Sequence, residues 1–175
     1  MNVAHTREEA PVPRDAAERG AVAAPDVRVH TREDFEFVAN EAMEKIFPLF
    51  GAEMERVWAD DWNPQFVWPA TAEDREGMVF RIAHGERTAT WVNTVFDREA
   101  RRVQYVYVLP DIVATVITLR LTPQRDATQV TVRYERTSLS AEADALVRGM
   151  AEHDRMAGPE WAAQINRYLA AATTR

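Results

Sequence analysis

The segment from Phe47 to Pro69 has the sequence FPLFGAEMERVWADDWNPQFVWP. It carries three tryptophans, three phenylalanines and three prolines beside five charged residues. Its prolines interrupt any single helix, because proline lacks a backbone N–H and clashes with the preceding turn. We therefore expect this segment to wrap around one end of a sheet, with its large rings turned toward the core.

Trp58 and Trp62 are four positions apart, a spacing that places two side chains on one side of a helical turn. Two such rings, which bury about 150–250 Å² each, can close the end of a small core. They can equally form the wall of a ligand pocket, and the sequence leaves both interpretations open. The acidic side chains of the segment are expected to stay in water or to bond turn amides: Glu53, Glu55, Asp60 and Asp61.

The composition of the chain excludes several classes of protein. A net charge of −7 with a single lysine, Lys45, argues against binding of nucleic acid, which depends on clustered basic side chains. No apolar run has the roughly 20 residues of a membrane span, and no secretory signal is visible. With no cysteine in 175 residues, disulfides and thiolate metal sites are excluded. We expect a cytoplasmic protein.

The chain is predicted to consist of a flexible tail and one domain. Residues 1–26 are rich in alanine, proline and charge and lack aromatic residues, so they cannot bury enough apolar surface to offset the entropy of ordering. Residues 27–175 form the predicted domain. It opens with a strand over Val27 to Asn40, interrupted near Arg32, and a short helix that Asn40 caps.

Five predicted strands follow Pro69, each with alternating or β-branched residues and each bounded by turn residues. Short links between successive strands indicate an antiparallel meander. The alternation gives the sheet one apolar and one polar face, and the last 36 residues supply a helical stripe to cover the apolar face. Gly158 and Pro159 should break this helix near Ala157, with Pro159 in the first turn of a second segment. The prediction is an α+β fold in which a curved antiparallel sheet wraps around a long C-terminal helix.

The order of elements resembles the START-like superfamily, also called SRPBCC or helix-grip proteins, over about residues 27–172. The matching positions are Phe47-Pro48-Leu49-Phe50, Glu55, Trp58, Trp62, Pro64, Gly77, Val79-Phe80, Trp91-Val92, Phe96-Asp97, Tyr105 and Thr128 to Ser140. Asp61 stands where one bacterial subgroup usually has a glycine. The resemblance implies a cavity between sheet and helix in which family members bind lipids, polyketides or aromatic compounds.

Several side chains are candidates for the wall of that cavity, because aromatic rings with a few polar groups suit a small apolar ligand. Tyr105 and Tyr107 share a face of one strand, and His153 falls on or beside the helical stripe. Core packing or surface exposure is the alternative for each. The candidate ligand-binding residues are Trp58, Trp62, Arg81, Trp91, Asn93, Tyr105, Tyr107, Met150 and His153.

The sequence favours non-covalent binding of a small hydrophobic or aromatic molecule, without a cofactor. No metal site is expected, because none of the four histidines is four positions from another. A second hypothesis is a polyketide cyclase or dehydratase with His153, Tyr105 and Arg81 as acid–base groups. A third is a protein-interaction module whose cavity is filled by its own rings. Neither catalysis nor a homodimer is decided by the sequence.

Overall fold

The structure, a computed structural model, describes residues 27–173. The predicted tail over residues 1–26 lies outside them. The strands are β1 (His30–Ala39), β2 (Gln65–Trp68), β3 (Val79–His84), β4 (Arg87–Asp97), β5 (Arg102–Leu109), β6 (Val113–Pro123) and β7 (Thr128–Ser138). The α-helices are α1 (Met43–Ile46), α2 (Asp144–Met156) and α3 (Gly158–Thr173), and two 3-10 turns cover Phe47–Phe50 and Met54–Val57.

All seven strands form one antiparallel sheet in the order β1-β7-β6-β5-β4-β3-β2. The predicted five-strand meander is confirmed as β3 to β7. β1 runs without the interruption expected near Arg32 and pairs with β7 along its whole length. β2 was missed, because its four residues are mostly exposed and show no apolar alternation.

The sheet has the predicted apolar face. Along β5, every second side chain from Val103 to Leu109 is buried, and the same alternation continues on β6 from Val113 to Leu121. On β7 the inward-facing side chains change from apolar to polar along the strand. Val130 and Val132 are followed by Tyr134, Arg136 and Ser138, so one end of the concave face is polar.

The short helix begins later than the sequence indicated. Asn40 does not cap it; Ala42 holds the cap position and supplies no side-chain hydrogen bond. The backbone N–H of Asn40 instead donates to Asn166 Oδ1 of α3 at 2.8 Å. The prediction failed because this tertiary contact, invisible in the local sequence, uses Asn40 to fix α3 to the end of β1.

The C-terminal helix breaks where predicted: α2 ends at Met156, and Pro159 lies in the first turn of α3. Trp161 of α3 packs edge-on against Phe35 of β1, with ring centroids 5.4 Å apart. It also lies 5.5 Å from the Trp58 ring. α3 thus closes the concave face of the sheet against the Phe47–Pro69 segment. No helix within residues 27–173 is long and apolar enough to span a membrane.

The junction between β1 and α3 leaves no room for a side chain at Gly158. A Cβ there would lie 2.9 Å from the backbone oxygen of Glu36, whereas a Cβ at Gly149 in α2 would meet nothing within 4 Å. We expect Gly158→Ala to lower the free energy of unfolding by about 1–3 kcal/mol, because helix and strand must separate. Gly149→Ala should raise it by about 0.5–1 kcal/mol, since alanine loses less entropy in a helix.

Urea denaturation of the two variants and the parent chain measures both effects. A Gly158→Ala variant as stable as Gly149→Ala would contradict the close approach of α3 to β1.

Candidate functional site

A cavity of about 250 Å³ lies where the concave sheet face, α3 and the Phe47–Pro69 segment meet. Aromatic rings and carboxyl groups dominate its wall. The lining residues are Glu55, Trp58, Ala59, Asp60, Trp62, Trp91, Tyr105, Ile117, Tyr134, Glu160, Trp161 and Gln164. The volume is slightly below the roughly 300–1,000 Å³ of pockets for drug-sized ligands, and it suits a molecule built on one ring.

Hydrogen bonds from the indole nitrogens to backbone oxygens hold the rings of Trp58 and Trp62 in the cavity wall. The Trp58 indole N–H donates to Leu49 O and that of Trp62 to Ala52 O, each at 2.7 Å. The chain between them turns at Asp61, whose φ of 59° lies in the left-handed region that favours glycine. Aspartate tolerates this conformation, so the turn forms without a glycine at this position.

The opposite wall comes from neighbouring strands. Trp91 of β4 packs edge-on against Trp62 with centroids 5.3 Å apart, and against Tyr105 of β5 at 6.1 Å. The Tyr105 hydroxyl donates to Phe50 O at 2.7 Å. Burial, together with the nearby Glu55 carboxyl, raises the pKa of Tyr105 well above its usual value. Its hydroxyl is therefore engaged in holding the 3-10 turn and is a poor acid–base group.

The Trp91 ring carries a polar atom without a partner. Its indole Nε1 is buried and makes no hydrogen bond within the described part of the chain. Buried donors are seldom left unpaired, since desolvation without a partner costs about 1–3 kcal/mol. This unpaired donor lies on a residue that lines the cavity.

Glu55 is the main departure from the sequence interpretation, which placed its carboxyl group in water or on the amides of the turn. It is only 7% exposed and lines the cavity from the 3-10 turn Met54–Val57. Its carboxyl group makes neither a hydrogen bond nor an ion pair with residues 27–173. Burial raises the pKa of Glu55 well above its usual value, and the Asp74 carboxylate adds to the rise. The neutral carboxylic acid is thereby favoured.

Asp74 fixes the turn that carries Glu55. Its carboxylate accepts the backbone N–H of Glu53 at 3.1 Å and fills the space beside Gly51, where a Cβ would lie 1.9 Å from Oδ2. Burial raises the pKa of Asp74, while hydrogen bonds from the turn amides oppose that rise. The position of Glu55 is thus set by a second carboxylate, which anchors its backbone and disfavours its charge.

A buried ion pair lies next to the cavity, on the polar end of β7. Arg136 donates to both carboxylate oxygens of Asp154 in α2, at 2.6 and 2.8 Å. It also donates to the hydroxyl of Tyr107, and its guanidinium lies 4.5 Å from the Tyr134 ring centroid. Burial opposes the charged form of Arg136, but the hydrogen bonds that it donates to Asp154 and the negative charge of that carboxylate raise the pKa of Arg136 above its usual value. The pair fastens α2 to the sheet.

Four predicted site residues line the cavity together: Trp58, Trp62, Trp91 and Tyr105. The other five do not line it. Arg81 is exposed on β3 and His153 is exposed on α2. His153 points to solvent because α2 turns the next residue, Asp154, toward the sheet.

Asn93, Tyr107 and Met150 serve packing instead. With its amide nitrogen placed to donate, Asn93 bonds Val95 O at 2.7 Å and supports the bulge in β4. The Tyr107 ring stacks on Trp91 at 4.2 Å, behind the cavity wall. Met150 is partly buried against the core.

Sequence reasoning missed Glu55, Tyr134 and Trp161 as lining residues. Glu55 carried a usable signal: it precedes Trp58 by three positions and Trp62 by seven, so a helical turn places all three on one face. Trp161 belongs to the C-terminal helical stripe that the sequence predicts to cover the apolar face of the sheet. Strand alternation places Tyr134 on one face of β7 with Val130 and Val132, but it does not show which part of that face the cavity reaches.

No family model matches the sequence, and no curated protein matches it. Solved structures do match. The Mll3558 protein from Rhizobium loti is 18% identical, with a TM-score of 0.58 over 82% of this chain and 99% of that chain. A protein from Rhodobacter sphaeroides is 18% identical, with a TM-score of 0.56 over 81% and 93%.

A synthase also matches. Norcoclaurine synthase from Thalictrum flavum, solved in complex with dopamine and hydroxybenzaldehyde, is 12% identical, with a TM-score of 0.59 over 94% of this chain and 97% of that chain. At these identities the similarity shows the fold alone. The chain has the START-like, helix-grip α+β fold, and the predicted fold is confirmed. Residues 27–173 contain no group of three histidine, aspartate or glutamate side chains placed to hold a metal ion.

The raised pKa of Glu55 makes stability depend on pH in a defined direction. The unfolded chain releases the Glu55 proton near the ordinary value of 4.5, whereas the folded chain retains it. The contribution of Glu55 to the free energy of unfolding is therefore fully present below that pH. It is lost as the pH rises toward the folded pKa, by up to about 1.4 kcal/mol per pH unit. Glu55→Gln does not titrate, so its stability relative to the parent chain should increase from pH 4.5 to pH 8.

Urea denaturation of both chains across this range gives the difference directly. Glu73→Gln, at an exposed position outside the cavity, is the control for loss of one carboxylate elsewhere. A stability difference between Glu55→Gln and the parent that stays constant with pH would show that Glu55 ionises as it does in water.

Proposed function

We propose that this protein binds a small hydrophobic or aromatic molecule in the cavity between the sheet and α3. The observation that carries the proposal is the cavity wall, in which four tryptophans and two tyrosines surround the buried carboxyl group of Glu55. An apolar wall with few polar groups is the usual composition of a small-molecule site.

The size of the cavity supports a ligand with a single ring and a short substituent. Burying such a molecule contributes roughly 25 cal/mol per Å² of apolar surface, before the cost of immobilising it. Offset and edge-on contacts with tryptophan add to this where the ring faces fit. The neighbour from Thalictrum flavum, whose structure contains dopamine and hydroxybenzaldehyde, offers a parallel: both of its ligands are single-ring compounds.

The hypothesis of a filled interaction module is less well supported, because Trp58, Trp62 and Trp91 line a space rather than occupy it. The exposed apolar side chains with the largest exposed fractions, Val27 at 93% and Met156 at 72%, lie outside the sheet's covered face.

An enzymatic function has one observation in its favour, the neutral carboxyl group of Glu55 beside the cavity. A carboxylic acid with a raised pKa can exchange a proton with a bound substrate at a higher pH than an ordinary carboxyl group. His153 and Arg81 are exposed and Tyr105 is hydrogen-bonded to Phe50, so Glu55 replaces the three acid–base candidates of the sequence. If the protein turns over a substrate, loss of that turnover in Glu55→Gln but not in His153→Ala would favour catalysis.

Binding is tested with 2-phenylethanol, a neutral single-ring compound, by titration calorimetry. We expect one site with a dissociation constant on the order of 1 mM or below, which corresponds to about −4.1 kcal/mol or better. Gln164→Trp should weaken binding at least tenfold, because Gln164 lines the cavity and a larger ring there reduces its volume.

Ala163→Trp provides the matched control, since Ala163 is the adjacent, exposed residue of α3 and does not line the cavity. It should bind 2-phenylethanol within twofold of the parent chain. Equal weakening in both variants, or no saturable binding to the parent chain, would contradict the proposed site.

A further inference from the structure

We propose that the ligand is an organic amine, held in the cavity as an ammonium cation by the Glu55 carboxylate and the surrounding tryptophan rings. This inference rests on the proposed function and specifies the charge of the ligand. It has its own test, because the preference for a cation over a neutral molecule of the same shape can fail while binding itself remains.

The charged groups of the cavity wall are all acidic. Glu55, Asp60 and Glu160 line it, and no lysine or arginine does. Two basic side chains beside the cavity-lining residues have acidic partners: Arg167 lies 3.8 Å from Asp60, and Arg136 is paired with Asp154. A ligand entering this space therefore meets negative charge and no free positive charge from the cavity wall.

The aromatic rings reinforce this preference. The face of an indole or phenol ring is negative and attracts cations, by about 2 kcal/mol or more when water is excluded. The guanidinium of Arg136, 4.5 Å from the Tyr134 centroid, already uses one ring of the wall in this way. Trp58, Trp62, Trp91 and Trp161 contribute further rings to the same space.

Glu55 is the polar group that points to a ligand independently of the acidic mouth. It is 7% exposed, lines the cavity and has no partner within residues 27–173. A buried carboxyl group without a hydrogen bond is costly, and a cation with N–H donors would satisfy it. A ligand carboxylate would instead place a second negative charge beside it, which is unfavourable in a site shielded from water.

Binding of an ammonium ion changes the protonation of Glu55. The O–H bond of the neutral carboxyl group breaks, its proton passes to solvent, and the carboxylate pairs with the incoming cation. Titratable and charged groups surround Glu55 on every element packed against it. They are Asp74 beside its turn, Tyr105 on β5, Tyr134 and Arg136 on β7, Glu160 on α3, and Asp60 at the mouth of the cavity. Affinity for the amine should then rise with pH, by up to tenfold per unit, until Glu55 is ionised in the free protein.

The test compares three probes that share one phenyl ring and a two-carbon spacer: 2-phenylethylamine, 2-phenylethanol and 3-phenylpropionate. Calorimetry with the full chain at pH 7.5 should give at least tenfold tighter binding for the amine than for the alcohol. The carboxylate should bind more weakly than the alcohol. Only the amine should show affinity that rises with pH.

Glu55→Gln should remove the preference, lowering affinity for the amine at least tenfold and leaving the alcohol within twofold. Glu73→Gln removes one negative charge at an exposed position outside the cavity and should change neither. Because the probe series is measured on the parent chain, the inference is tested even if Glu55→Gln folds poorly.

Equal or tighter binding of the alcohol would overturn the inference and leave the proposed function standing. So would a folded Glu55→Gln variant that keeps the full affinity for the amine. Failure of all three probes to bind the parent chain would overturn the inference and the proposed function together.

Discussion

The packing of Trp161 against two separate parts of the chain is the interaction on which the rest of the structure depends. Its ring contacts Phe35 and Phe37 on β1 and also Phe50 and Trp58 of the Phe47–Pro69 segment. Through this one side chain, α3 is fixed to the sheet edge and to the segment that closes the sheet's end. The space left between these three surfaces is the cavity, and Trp161 forms part of its wall.

The wall of that cavity contains the Glu55 carboxyl group, whose burial destabilises the folded state. Glu55 carries neither a hydrogen bond nor a counter-charge among the described residues, and Asp74 behind it makes its ionisation harder. Two other buried polar groups of the core have partners: Arg136 is paired with Asp154, and the Tyr105 hydroxyl donates to Phe50 O. The contrast between these satisfied groups and Glu55 is the physical reason for assigning Glu55 a role with a ligand.

Much of the fold followed from the sequence, because strand alternation and the Gly158-Pro159 break are local signals. β3 to β7 and the division of the C-terminal helix were predicted for that reason. The cap at Asn40, the short strand β2 and the inward position of Asp154 were not, since each depends on a contact between distant segments or on helix phase. At the site, the rings of Trp58, Trp62, Trp91 and Tyr105 were identified from type and spacing, whereas Glu55 was assigned to water because charged side chains are rarely buried without a partner.

The most direct test of the ligand site is a crystal structure of the protein grown with 2-phenylethylamine. The predicted result is a phenyl ring in the cavity between Trp62, Trp91 and Trp161, with the amine nitrogen within hydrogen-bonding distance of a Glu55 carboxylate oxygen. A cavity that remains empty at a concentration that saturates binding in solution would contradict it, as would an amine bound only on the outer surface.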